Sequence, residues 1–152
     1  MTEATLSDVE NPLALEEQVC FALSVAARRV VAVYRPLLEP MGLTHPQYLV
    51  MLAMWEHEPL SVSALARLLQ LEPATLSPLL KRLEASGLLR RERAVHDERS
   101  LALVLTDRGR KLRTQAEKVP LAIVEKLGMD LPELEGLHRQ LTRVIAAAAA
   151  AE

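Results

Sequence analysis

Apolar positions follow helical periods along most of the chain. From about position 13 to 38 aliphatic residues occupy nearly every helical face, and no charge interrupts positions 18 to 27. A helix that is apolar nearly all round must be covered on most faces, by its own domain or by a partner subunit. A second helix is expected to open after Thr44 and to continue through Trp55, because Pro46 falls early in it, where its missing N–H costs little.

Two short helices with a tight turn between them are predicted in the segment SVSALARLLQLEPATLSPLLKRLEASGLL. Ser61 can cap the first helix, over positions 62 to 69, and the second runs from 73 to 86, where Gly87 supplies a left-handed terminator. Leucines recur at three and four residues on the inner faces of both helices. These are Leu65, Leu68 and Leu69 in the first helix and Leu76, Leu79, Leu80 and Leu83 in the second. Such a pair is typical of a DNA-binding helix-turn-helix.

After Gly87 the period changes from helical to extended. The runs LLRRER and SLALVLT flank the charged segment AVHDER, which predicts a β-hairpin with a charged tip, the wing of a winged helix. Thr106 then caps a long helix towards Val119, where Pro120 kinks or breaks it. A final helix over 131–151 has an apolar seam that is typical of close packing between subunits. The seam consists of Leu134, Leu137, Leu141, Val144 and Ala148.

These elements predict a mainly α fold with a small β-hairpin wing. We expect one domain, a winged helix-turn-helix with N- and C-terminal dimerisation helices, and the length of 152 residues fits a single domain. The DNA-binding part is expected at about 45–106 and the dimerisation helices at about 13–40 and 107–152. Half the residues are apolar but few are aromatic, so Leu, Ala and Val form the core, as helices favour.

Charge is nearly balanced overall, with a net −2, but it is unevenly distributed. Positions 81 to 113 hold ten Lys or Arg residues and five acidic ones, a local +5, so the rest of the chain carries −7. A basic segment in an otherwise acidic protein indicates contact with a polyanion, although charged runs are also common on solvated faces. This segment overlaps the end of the second helix of the pair, which would be the recognition helix, and spans the predicted wing, so we expect double-stranded DNA as the partner.

Several function classes are excluded or disfavoured. No apolar run is long enough to cross a bilayer, and the N-terminal MTEATLSDVE lacks the positive region of a signal peptide, so we expect a cytoplasmic protein without membrane contact. One cysteine excludes an intrachain disulfide, and the four histidines show no ligand spacing, so no metal or cofactor is expected. The sequence has no redox CxxC pair, no glycine-rich phosphate loop and no Ser/His/Asp set in a suitable context, which argues against an enzyme.

The candidate DNA contacts lie on the outer side of the second helix of the pair and in the wing. Small hydroxyl residues and a proline on the first turns are expected to meet base edges, where the proline ring can contact a thymine methyl. Basic residues further along are expected to bind phosphate, which orients the protein without reading sequence. The base-edge candidates are Thr75, Ser77 and Pro78, and the phosphate candidates are Lys81, Arg82 and Arg91.

The order of elements, together with DERS at 97–100, resembles the MarR family of winged-helix repressors over nearly the whole chain. Within that family, CFAL, YRPLLEPMGLTHPQYLVMLAMWE, TLSPLLKRLE and DERS resemble the organic hydroperoxide regulators of the OhrR type. The resemblance implies that Arg99 enters the minor groove, where a narrow groove attracts arginine, and that Asp97 holds its guanidinium in place.

The resemblance also implies a homodimer on an inverted-repeat operator that senses organic hydroperoxide through Cys20. The thiolate becomes a sulfenic acid, and reaction with a small cellular thiol, cyclisation to a sulfenamide or overoxidation then releases DNA. Tyr34 matches one tyrosine that holds the reactive sulfur, whereas Ser24 and His45 stand where other members have tyrosine. Fourteen residues of one helix separate Cys20 from Tyr34 by roughly 21 Å, so Tyr34 can serve Cys20 only from the other subunit.

Other functions stay open. A MarR-type repressor released by a small aromatic or lipophilic acid would need Cys20 only as packing, since free cysteine behaves like a small hydrophobe. A reactive cysteine also suits a thiol peroxidase, and a winged helix used only for protein contacts would lack salt-sensitive DNA affinity. Oxidation of the reduced protein separates the first alternative from the redox repressor.

Overall fold

The chain folds into seven α-helices and a small antiparallel sheet within the described residues. The structure, a computed structural model, describes residues 11–94 and 97–152, and of residues 94 and 97–100 it describes only the backbone. The elements are α1 (Val19–Leu38), α2 (His45–His57), β1 (Leu60–Ser61), α3 (Val62–Leu69), α4 (Pro73–Ala85), β2 (Leu89–Ala94), β3 (Asp97–Leu105), α5 (Asp107–Ala116), α6 (Val119–Leu127) and α7 (Leu131–Ala151). The predicted fold class, mainly α with a hairpin wing, is confirmed.

α1 begins later than the apolar pattern predicts. Gln18 is extended (φ −82°, ψ 121°), and a separate 3-10 turn covers Leu15–Glu17. The Gln18 amide donates to the carbonyls of Pro12 and Ala14 at 2.8 and 3.1 Å, which holds this entry segment apart from the helix. The first helix therefore starts at Val19 rather than near position 13.

Local capping chemistry sets the bounds of the next helices. The Thr44 backbone N–H donates to the Gln47 side chain at 2.9 Å, and the Thr44 hydroxyl accepts from the Gln47 N–H, a capping box that opens α2. Ser61 Oγ accepts from the N–H of Ala64 at 3.1 Å and caps α3 as predicted. Gly87, with φ +74°, ends the region of α4 in the left-handed conformation that glycine adopts without strain.

Leu68, one of the leucines predicted on the inner face of α3, lies on its outer face. Leu68 is 48% exposed, whereas Leu65 is fully buried and Leu69 packs against the core. Val62 and Ala66 also face the core, and at about 100° per residue they rotate the buried face away from Leu68.

The sheet has the strand order β1-β3-β2 and includes a strand that the sequence pattern did not predict. β2 and β3 form the wing hairpin, with Leu89 opposite Leu105 and a register shift between Arg93 and Ala94. The two-residue β1 pairs with the other edge of β3, where Leu60 lies opposite Leu103. The root of the wing is thus joined to the segment that follows α2.

The predicted long helix after Thr106 divides into α5 and α6. Thr106 Oγ1 accepts from the N–H of Gly109 at 3.0 Å and caps α5 as expected. Pro120 has no N–H for the carbonyl of Ala116, and its ring clashes with a helical carbonyl four residues earlier. α5 accordingly ends at Ala116, three residues before the predicted end, and Pro120 lies in the first turn of α6.

The core lies between α2, α3, α4 and the sheet, with α6 closing one side. Its largest fully buried side chains include Met51, Met54, Leu76, Leu80 and Leu103. Of the described residues of α1 only Leu38 is buried, and α7 buries none, although both helices carry large apolar side chains. Across residues 11–94 and 97–152, no helix is both long and apolar enough to span a membrane.

Candidate DNA-binding surface and redox site

α4 presents one polar face opposite its buried leucines. Thr75, Pro78, Lys81 and Arg82 are exposed, and Ser77 is half-buried. At 3.6 residues per turn, Pro78 projects between Thr75 and Ser77 on the side away from the core. The structure therefore brings all five predicted α4 residues to one outward surface, with the small side chains nearer the helix N-terminus and the cations further along.

The C-terminal end of α4 is fixed to the beginning of α5. The Thr106 hydroxyl donates to the Gly87 carbonyl at 2.6 Å, and Arg108 Nη1 donates to the Ser86 carbonyl at 2.8 Å. The backbone N–H of Thr106 also donates to the carbonyl of Leu88 at 3.1 Å. These three bonds hold the end of α4 against the beginning of α5, so a shift of α5 would alter the orientation of α4.

Arg91 in β2 forms an ion pair across to α4. Its Nε lies 2.8 Å from Glu84 Oε1, and the two side chains are 32% and 26% exposed. The pair ties the wing to the recognition helix, and a phosphate contact by Arg91 stays a prediction. Asp97 and Arg99 belong to β3, but their side chains lie outside the described residues, so their DNA-binding roles stay predictions as well.

The candidate redox residues fall into two groups at opposite ends of α1. Cys20, the second residue of α1, is exposed, and Ser24 lies one turn further along and is also exposed. Tyr34 is near the other end, where its ring meets His45 edge-on at a centroid distance of 4.9 Å. Helical rise separates the two groups by roughly 21 Å, as the sequence predicted, so one chain does not bring Cys20 and Tyr34 together.

Tyr48 completes an aromatic cluster with Tyr34 and His45, and sequence reasoning missed it. Its ring centroid lies 5.8 Å from that of Tyr34 and 6.3 Å from that of His45, and the residue is 3% exposed. The signal was its position three residues after His45, on the same face of α2. We call these three residues the aromatic cluster.

Burial shifts the pKa values of the aromatic cluster in the directions that favour the uncharged forms. It raises the pKa of Tyr34, and burial followed by repulsion from a Tyr34 phenolate raises the pKa of Tyr48. Burial also lowers the pKa of His45 below its ordinary 6.5. The cluster consequently offers two neutral hydroxyl donors and a neutral imidazole, rather than a cation that could stabilise a thiolate by charge.

A cavity of about 430 Å³ opens between α2 and the α5–α6 break, and its lining includes Tyr48, Leu52, Trp55 and Arg113. In the described part of the chain, no group of three or more His, Cys, Asp or Glu side chains is arranged to hold a metal ion.

Comparison with known proteins identifies the family. A sequence profile described as the MarR family matches residues 43–101. The chain is 45% identical over 128 residues to the HTH-type transcriptional regulator TtmR of Methylorubrum extorquens, covering 84% of this chain and 66% of TtmR. It is 41% identical over 124 residues to the organic hydroperoxide resistance transcriptional regulator of Bacillus subtilis, covering 80% of this chain and 84% of that protein.

The fold of the chain is also similar to that of a solved DNA-bound protein structure. Reduced AbfR bound to DNA superimposes with a TM-score of 0.71 at 34% identity, covering 89% of this chain and 94% of AbfR. AbfR, of Staphylococcus epidermidis, has also been solved in an overoxidised form bound to DNA and in a disulfide form. The sequence relatives are named as transcriptional regulators, which confirms the expectation of a function without catalysis. The chain belongs to the MarR family of winged-helix DNA-binding transcriptional regulators.

Proposed function

We propose that the protein is a homodimeric repressor that binds an inverted-repeat operator and releases it when organic hydroperoxide oxidises Cys20. The uncovered apolar side chains of α1 and α7 support the dimer. Val19 and Leu137, for example, are 68% and 47% exposed in the single chain, and a second copy would cover such residues. In this proposal 13–40 and 107–152 hold the dimer together, and 45–106 bind DNA.

The polar face of α4 supports the DNA contact. In this proposal Thr75, Ser77 and Pro78 meet base edges in the major groove, and Lys81 and Arg82 contact phosphates. Arg99 at the wing would enter the minor groove, held by Asp97. Two recognition helices on one face of the duplex require half-sites about 10 base pairs apart, centre to centre.

The division of α1 into a thiol end and an aromatic end carries the redox proposal. Because Cys20 and Tyr34 are roughly 21 Å apart on one helix, only an antiparallel passage of two α1 helices brings each thiol to the partner's aromatic cluster. There the Tyr34 hydroxyl and the imidazole of His45 can donate hydrogen bonds to the sulfur. Ser24, on the same helical face as Cys20, supplies a shorter-reaching donor from the thiol's own subunit.

The chemistry follows from a single thiol. The Cys20 thiolate attacks one peroxide oxygen, the O–O bond breaks, an alcohol leaves after taking up a proton, and the sulfur becomes a sulfenic acid. A small cellular thiol then displaces the hydroxyl group as water and forms a mixed disulfide, a step suited to the cytoplasm. Reduced and overoxidised AbfR are both described bound to DNA, which favours the bulkier mixed disulfide over a sulfur oxide as the releasing adduct.

Release requires the adduct to favour the conformation that does not bind DNA. An adduct shifts the equilibrium only by its differential free energy between the two conformations, and inverting a 99:1 population takes about 5.5 kcal/mol. A mixed disulfide wedged between α1 and the partner's aromatic cluster has the size to disturb that packing. The same adduct on a fully solvated helix would disturb no packing and would not shift the equilibrium.

Cys20→Ser tests this proposal. The variant should bind operator DNA as the parent does, since serine nearly matches cysteine in size, and should stay bound when organic hydroperoxide and a small thiol are added in a mobility-shift assay. The parent should be released under these conditions and rebind after excess dithiol reduces the adduct. Release of Cys20→Ser at the parental dose would show that the only thiol of the chain is not the sensor.

The cavity beside Tyr48 supports a second candidate, a repressor released by a small aromatic or lipophilic acid. Its volume of about 430 Å³ is in the range of small-molecule sites, and most of its lining is apolar. The charged residues of the lining are Glu56, Glu117 and Arg113, whose Nε lies 3.7 Å from Glu117. This candidate predicts that aromatic acids release the parent and Cys20→Ser equally, whereas hydroperoxide releases neither.

A further inference from the structure

Glu58 joins three elements that meet at the root of the wing. It follows the last residue of α2, and its carboxylate oxygen Oε2 accepts the backbone N–H of Leu105, the last residue of β3, at 2.7 Å. Arg110 of α5 donates to the same carboxylate, with Nε at 3.0 Å from Oε1 and Nη2 at 3.4 Å from Oε2. The Glu58 side chain is 23% exposed, so it is largely screened from water.

The register of the sheet explains why a side chain is needed there. Leu60 lies opposite Leu103 and the strands are antiparallel, so Glu58 falls opposite Leu105. The intervening Pro59 has no N–H to donate, and prolines are confined to the ends and edges of sheets. β1 therefore stops at two residues, and the Glu58 carboxylate extends the ladder by one charge-assisted hydrogen bond.

We propose that Glu58 is a positioning residue for DNA binding, which sets the angle of the wing against α2 and α5. This inference rests on the wing contact of the proposed function. β3 runs from Asp97 to Leu105, about 26 Å at about 3.3 Å per residue. A rotation of about 5° at the root would move the strand's far end by about 2 Å, enough to break a hydrogen bond with its narrow distance range.

Glu58→Ala and Glu56→Ala form a matched pair for the experiment. Each variant removes one negative charge, which taken alone favours binding to a polyanion. Glu56 lies two residues earlier, and its side chain is 75% exposed. We expect Glu58→Ala to weaken operator binding about tenfold, the size of losing one specific contact, and Glu56→Ala to leave it unchanged or slightly tighter. Parental affinity in Glu58→Ala would overturn the proposal.

A double-mutant cycle with Arg99→Ala separates positioning of the wing from a general effect on the fold. If Glu58 acts through the wing, Glu58→Ala should cost little further affinity once Arg99 has been replaced. Additive losses would overturn the role of Glu58 and leave the wing contact standing. A parental affinity of Arg99→Ala would overturn the wing contact and the role of Glu58 together.

Two milder variants keep the test valid if Glu58→Ala does not fold. Glu58→Gln keeps an amide oxygen that can accept from Leu105 but loses the ionic pairing with Arg110. Arg110→Gln removes the cation of that pair, and with it the contact of Arg110 with Asp107 at 3.6 Å. Glu58→Gln should show the same non-additivity with Arg99→Ala at a smaller loss, and Arg110→Gln, which also removes a positive charge, should weaken binding as well. Additivity of Glu58→Gln with Arg99→Ala would overturn the proposal.

Discussion

Replacing Gly109 by alanine should destabilise the protein at the point where α5 meets the end of α4. A Cβ at Gly109 would lie 2.3 Å from the carbonyl oxygen of Leu88 and 3.3 Å from a methyl group of Leu105. Ordinary contact begins at 3.4 Å, so α5 must retreat by about 1 Å from a backbone atom that cannot swing aside. That retreat stretches the hydrogen bond from Thr106 to Leu88.

The expected cost follows from three contributions. Overpacking of this kind costs about 1 to 3 kcal/mol, and a weakened backbone hydrogen bond adds about 1 kcal/mol. The higher helix propensity of alanine offsets about 1 kcal/mol of this destabilisation. Gly109→Ala should therefore lower the free energy of unfolding by about 2 kcal/mol.

Gly136→Ala provides the matched control. Gly136 also lies inside a helix, outside the predicted apolar seam of α7, and the nearest neighbour of its added Cβ is the flexible side chain of Arg139 at 3.7 Å. This variant should gain about 1 kcal/mol, so the two should differ by about 3 kcal/mol, or roughly 6 to 12 °C in Tm. Thermal unfolding followed by circular dichroism at one protein concentration measures the difference. If Gly109→Ala is as stable as Gly136→Ala, the close approach of α5 to Leu88 is wrong.

Three further predictions concern the candidate sites. Tyr34→Phe should keep operator affinity but slow release by hydroperoxide, since it loses only a hydroxyl donor; an unchanged release rate would remove Tyr34 from the redox site. Because burial lowers the pKa of His45, the unfolded chain takes up a proton below about pH 6.5 before the folded one does, so stability falls as pH falls. In urea titrations, the free energy of unfolding of the parent should fall more between about pH 7.5 and about pH 5.5 than that of His45→Phe. Equal losses would contradict a lowered pKa of His45. Arg91→Ala should weaken operator binding less than Arg99→Ala because Glu84 already holds Arg91; equal losses with equal salt slopes would contradict this.

Local chemistry made much of the fold predictable from the sequence. The hydroxyls of Ser61 and Thr106 cap helices that begin one residue later, and Gly87 adopts the left-handed conformation after α4. Each of these features depends on atoms within about one helical turn, so residue types at fixed spacing determine them. The bounds of α3 and α7 match the prediction for this reason.

Features that depend on distant pairing were not predictable in this way. The exposure of Leu68 depends on which face of α3 meets the core, and the neighbouring small residue Ala66 decides that face. The bond from Leu105 to Glu58 joins residues 47 positions apart, through a sheet register that no local pattern encodes. The end of α5 at Ala116 is, by contrast, predictable from Pro120, because the proline ring clashes with the carbonyl four residues earlier.

The candidate redox site also combines features that local sequence determines with features that depend on distant contacts. Helical rise alone separated Cys20 from Tyr34, and the structure places them at opposite ends of α1. The contact of Tyr34 with His45 and Tyr48 depends on how α1 packs on α2, which the sequence pattern does not contain. Sequence therefore located the thiol correctly in α1, whereas the third member of the aromatic cluster required the structure.

Trp55 gives the protein a built-in optical reporter. It is the single tryptophan of the chain, and its indole Nε1 donates to the carbonyl of Gly109 at 2.9 Å, where α2 meets α5. Any sliding of α5 changes the polarity around this indole, and with it the intensity and wavelength of emission from unlabelled protein. Stopped-flow fluorescence can thus follow the helix junction in real time, and the order of junction movement and operator release becomes measurable without a dye.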